Sequence, residues 1–128
     1  MAAEIELSGL DELLNKLQQM SDKAGRVENK ALKAAAQPIA DEMKSLVNAS
    51  SIDHLHIRDN IKISGVKSKD GIKYIEIGPG KETNWRAKFL EWGTSKMPAK
   101  PFVQISYEHK KKDVLEIMKQ TIAEAFGS

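Results

Sequence analysis

The chain has no cysteine, which removes disulfides, thiolate metal ligands and cysteine nucleophiles together. No apolar run approaches the ~20 residues that a helix needs to span a bilayer. The opening residues, MAAEIELSGL, carry acids and no basic, long apolar region, so nothing in them predicts export. The local signatures of common catalysts are missing as well. There is no GxSxG, and GPGKET lacks the G-x-x-x-x-G-K-[ST] spacing of a phosphate-binding loop. Glu76, Glu82 and Glu91 supply carboxylates, but nothing around them points to a pocket that would divide them into acid and base. The expectation is a protein that is not an enzyme and needs no cofactor. A large excess of one charge is also absent. Twenty Lys/Arg against 18 Asp/Glu leave a net charge of +2, too little to identify a nucleic-acid binder from the total.

At 128 residues, with 41% hydrophobic and 30% charged residues, the chain fits one ordinary globular domain over 1–128. Its charge is unevenly spread. Residues 1–60 hold seven Lys/Arg against ten Asp/Glu, a balance of −3, whereas residues 81–112 hold eight against three, a balance of +5.

Periodicity supplies the elements. EIEL at 4–7 alternates acid and aliphatic, as a short edge strand does. Ser8 with Asp11 three residues on has the form of a capping box. Behind it Leu10, Leu13, Leu14, Leu17 and Met20 share one helical face. A second helix is expected from about Val27 to Val47, with Leu32, Ala35, Ile39, Met43 and Leu46 as its stripe and a kink at Pro38. The small side chains of Ala34–Ala36 permit close approach by a sheet or another helix. Residues 48–60 read as a loop. IKISGVKS and IKYIEIG flank KDG, so Asp70-Gly71 predicts a tight hairpin, and the slip in phase at Gly65-Val66 predicts a bulge. GPGKETN reads as a further loop. WRAKFLEW spaces Trp85, Phe89 and Trp92 as a short helix would. Pro101 suits the start of a last helix, with Val114, Leu115, Met118, Ile122 and Ala125 as its buried face and Gly127 at its end. The order β-α-α-β-β-(α)-α predicts an α+β fold with helices grouped around a small antiparallel sheet.

Three constellations carry candidate chemistry. Asp53, His54 and His56 form D-H-x-H, a weak candidate for a metal site that lacks an obvious third protein ligand. HKKKD places Lys110, Lys111 and Lys112 where the start of the last helix is expected. Cations there oppose the helix dipole, which hints at an acidic or nucleic-acid partner. The third is LEWGTSKMPAKPF, residues 90–102. Gly93 permits a turn, Pro98 and Pro101 stiffen the chain, Met97 offers an adaptable apolar contact, and Lys96 and Lys100 offer charge.

ELSGLDELLNKL, KALKAAAQPIADEMK, IEIGP and FLEWGTSKMPAKPFV together resemble the small tail-completion, or neck, proteins of lambda-like siphophages, the phage HK-ninety-seven type. The resemblance covers nearly the whole chain and is sharpest in Glu91–Phe102. It departs before the hairpin, where SSIDHLHIRDNI stands in place of a T-G-x-L segment. The resemblance implies a virion protein without catalysis, assembled in the host cytoplasm as a ring around the DNA channel. It implies as partners other copies of itself, the head-completion or connector protein, and the tail-terminator or tail-tube protein, with no membrane. Partner contacts are expected from Trp92, Gly93, Thr94, Ser95, Lys96, Met97, Pro98, Lys100, Pro101 and Phe102. Arg86, Lys88 and Lys110–Lys112 are expected to meet an acidic partner or packaged DNA. The alternative is a nucleic-acid-binding module that uses these cations together with Lys96 and Lys100.

Overall fold

The computed structural model describes residues 2–7, 10–19, 23–47, 56–96 and 98–127. Strand β1 (Ala3–Glu6) is followed by helices α1 (Asp11–Gln18) and α2 (Ala24–Leu46). Strands β2 (Ile61–Ile63), β3 (Lys67–Lys69) and β4 (Ile72–Pro79) come next, then helices α3 (Lys81–Trp92) and α4 (Phe102–Gly127). The fold is α+β.

β4 lies at the centre of the sheet, with β1 antiparallel along one side and β2 and β3 antiparallel along the other. Lys69 pairs with Ile72, and the two residues between them have positive φ, 52° at Asp70 and 79° at Gly71. That is the hairpin turn whose twist suits its strands. Ile63 pairs with Ile77 and Lys67 with Tyr74, so Ser64, Gly65 and Val66 stand opposite only Ile75 and Glu76. The phase slip is therefore a bulge, and it divides one expected strand into β2 and β3.

Alternation directs Ile75 and Ile77, with Ile5 and Ala3 paired beside them, to a buried face. Glu4, Glu6, Tyr74 and Glu76 point to the other face. Lys73 shares the buried face, and its Nζ reaches Asn29 Oδ1 at 3.1 Å and Glu28 at 3.8 Å, tying the start of α2 to the sheet. α2 covers this face, and α4 packs along α2 in the most extensive contact among the described residues, reaching the sheet at β1. The buried alanines Ala31, Ala35, Ala36 and Ala40 keep α2 slim, and Leu32, Ile39 and Met43 fill between them. From α4 come Phe102, Val114, Met118 and Ile122, and from α1 Leu17. Each large apolar side chain removed from water in this way stabilises the fold by roughly 1.5–3 kcal/mol.

Several boundaries move. α1 starts at Asp11 with Leu10 as its cap residue and no side-chain cap, and Ser8 and Met20 lie outside the described residues. α2 starts at Ala24 instead of about Val27, so Gly25 sits in its first turn. The helix continues through Pro38. The ring leaves the carbonyl of Ala34 without its helical donor, and Ala34 is exposed, so water can take that place. Residues 81–84 of GPGKETN are the first turn of α3, not loop. Leu115, expected in the core, is 37% exposed.

β4 hands over to α3 through a buried network. The amide of Gly80 donates to Asn60 O at 2.8 Å, and Asn60 Nδ2 donates to Thr83 Oγ1 at 2.8 Å and to Glu82 Oε2 at 3.2 Å. Backbone N–H donation at Glu82, and then the Asn60 amide, hold the Glu82 carboxyl below its ordinary range. A Cβ on Gly80 would come within 2.8 Å of the Asn60 side-chain amide, whereas one on Gly65 would meet nothing within 4 Å. Gly80→Ala should therefore lower stability by about 2 kcal/mol, because Asn60 must leave its partners. Gly65→Ala should be neutral or raise stability by up to about 1 kcal/mol. Urea unfolding of the two variants checks the contrast.

Candidate functional site

α3 begins where Gly80, extended at φ −71° and ψ 174°, ends the strand and accepts the amides of Thr83 and Asn84. It stops at Gly93, whose φ of 73° turns the chain out while its amide donates to Phe89 O at 2.8 Å. Between these points the helix is turned inside out. The residues it buries are Thr83, Ala87 and Glu91, one narrow line at four-residue spacing. The aromatic side chains face solvent, with Trp85 61%, Phe89 50% and Trp92 67% exposed, while Leu90 is half-buried against the core. Trp85 and Phe89 meet edge to face with ring centroids 6.4 Å apart, and the Arg86 guanidinium lies 5.8 Å from the Trp85 ring centre. In a lone subunit these rings forgo roughly 1.5–3 kcal/mol each of burial. Exposed apolar stripes are a common feature of interaction surfaces.

The inward-facing line ends in a carboxylate that ties α3 to α4. The Glu91 side chain accepts from the backbone amide of Val103 at 3.0 Å through Oε1 and from that of Gln104 at 3.1 Å through Oε2. A carboxylate from one helix thus caps the open amides at the start of the next. Lys100 N donates to Leu90 O at 2.6 Å, and the Phe102 ring, 1% exposed, closes the segment into the core. The loop between α3 and α4 is consequently held at both ends, while Thr94, Ser95, Lys96, Pro98, Ala99 and Lys100 stand exposed.

Of the contacts expected from the sequence, Trp92, Thr94, Ser95, Lys96, Pro98 and Lys100 are accessible, and Gly93 and Pro101 are half-buried. Phe102 is not accessible; the core takes its ring, and it serves as the loop's anchor. Met97 lies outside the described residues. The cations do not form one patch. Lys88 is exposed on α3, and Arg86 is beside Trp85. Lys110 stands between Glu42 and Asp113 at 3.9 Å from each, and Lys111 is 3.6 Å from Glu108. α4 starts at Phe102, so Lys110–Lys112 occupy its third turn and the dipole penalty expected of them falls away. His54 lies outside the described residues. Among the described residues no cluster of His, Asp or Glu is arranged to hold a metal ion.

Sequence reading missed the role of Glu91. The available signal was a carboxylate continuing the Thr83–Ala87 line a few residues before a proline-led helix start. Glu91→Ala should lower stability by about 1–3 kcal/mol through two unmet amides, with Glu91→Gln intermediate because its amide group keeps one acceptor. Denaturant midpoints give the ranking.

Residues 11–93 match the model of the HK97-gp10-like family, described as "Bacteriophage HK97-gp10, putative tail-component". The matched stretch runs from α1 to the end of α3 and stops where the exposed loop begins. No curated protein and no solved structure gives a significant match.

Proposed function

Because the chain belongs to the HK97-gp10-like family of phage tail components, we propose that it is a structural subunit of the neck, joining the capsid connector to the tail. In this reading copies form a ring around the DNA channel and meet the head-completion protein on one side and the tail-terminator or tail-tube protein on the other. They are assembled in the host cytoplasm and carried in the virion. The observation that supports it is α3, a helix anchored by its polar residues that presents Trp85, Phe89 and Trp92 outward beside a loop pinned at both ends. Tryptophans on rigid elements are the side chains that most often dominate protein interfaces. Pinning the loop beforehand lowers the ordering entropy lost on docking. Nucleic-acid binding draws less support, since Lys110 and Lys111 already have acidic neighbours.

Host cells whose phage lacks this gene should accumulate separate filled heads and finished tails, seen by electron microscopy. Intact virions would refute the reading. Trp85→Ser with Trp92→Ser should leave the melting temperature nearly unchanged and weaken docking by at least about 30-fold. Lys96→Glu with Lys100→Glu should reduce head–tail joining in a complementation assay.

A further inference from the structure

The sheet has two open edges of opposite character. β1 carries Glu4 and Glu6 on the sheet's open face, and no lysine, proline or bulge interrupts its pairing with β4. On the far side, β2 and β3 carry Lys62, Lys67 and Lys69 on that same open face, since these pair with Gly78, Tyr74 and Ile72. Lys67 is taken by Glu76 at 2.6 Å, which leaves Lys62 and Lys69 as the cations offered outward. Apolar groups on the helical face show the same complementarity. Beyond β1 a groove between the strand and α4 is lined by Tyr107 and Leu115, 40% and 37% exposed, together with Lys111 and Lys112. On the opposite edge Ile63, directed to that helical face, is 36% exposed.

We propose that the β1 edge of one copy pairs with the β2–β3 edge of the next, making a continuous sheet through the assembly. Resting on the neck-ring reading, this names the surfaces by which copies meet. Glu4 and Glu6 then adjoin Lys62 and Lys69 of the neighbour on one face, and Ile63 of the neighbour enters the Tyr107–Leu115 groove on the other. β1 and β2–β3 both run antiparallel to β4, hence parallel to each other. Copies related by rotation about an axis along the strands therefore present these edges in parallel. Like edges repel: two acidic β1 edges, or two lysine edges, set equal charges side by side. Only the unlike pairing is favourable, and a head-to-tail contact of that kind closes into a ring when the rotation from copy to copy divides a full turn.

Charge exchange tests it in phage complementation. Glu4→Lys with Glu6→Lys, and separately Lys62→Glu with Lys69→Glu, should each reduce the yield of joined particles by at least about tenfold. The four changes together should restore it. Normal yield from either pair, or no rescue by the fourfold variant, overturns the proposal. A second measurement does not depend on charge. In the cysteine-free chain, cysteine is placed at position 4 or 6 together with 62 or 69, four double variants in all. Within one copy these positions lie more than about 10 Å apart, two strand spacings across β4 plus an offset along it, too far for a disulfide, so any bond formed joins two copies. Oxidised particles should give a ladder of multimers from at least one variant. Monomer alone from all four, in particles that contain the protein, overturns the edge pairing and leaves the neck assignment standing. Virions that form without the protein overturn the neck assignment itself.

Discussion

One carboxylate organises the exposed aromatic surface of this protein. Glu91 leaves α3, points inward, and takes the first free amides of α4. Because it does so, α3 must turn its remaining face out, and that face carries two tryptophans and a phenylalanine. The same contact sets where α4 begins, which fixes the far end of the exposed loop and seats Phe102 in the core. Substituting an apolar residue for Glu91 would leave two amides unmet and free the loop's far end.

The scaffold behind this site is built to be stiff. α2, α4 and β4 form a continuous apolar centre, and the alanines of α2 allow the two long helices to lie close. β4 pairs on both sides and leads, through the buried Asn60–Gly80–Thr83 network, directly into α3. The aromatic helix is therefore mounted on the central strand of the sheet. Under the proposed neck role, a face carried in this way keeps its shape before a partner arrives.

Much of the fold was legible because local chemistry decides it. Asp70-Gly71 between alternating segments specifies a two-residue turn, and the chain has positive φ at both positions. The bulge follows from a one-residue slip in alternation at Gly65-Val66, and the stripe of α2 from Leu32, Ala35, Ile39 and Met43. What escaped was set by partners remote in sequence. The spacing of Trp85, Phe89 and Trp92 announces a helix but says nothing of which way it faces, since an aromatic stripe fits a core and an interface equally. That choice was made by Glu91 and the start of α4, eleven to thirteen residues further on. Leu115 has helical spacing suited to the core, yet it borders an open groove beside β1. The start of α4 also decided the position of Lys110–Lys112, where Lys110 lies near Glu42 and Asp113 and Lys111 near Glu108.

Trp85 and Trp92 are the chain's two tryptophans, and both stand on the outward face of α3. Hydroxyl-radical footprinting read by mass spectrometry reports each in its own peptide, in the free subunit and within finished particles. Heavy oxidation of both in the free protein and strong protection of both in particles is the predicted result. Equal oxidation in the two states would mean that the aromatic face meets nothing in the virion, and would contradict the account.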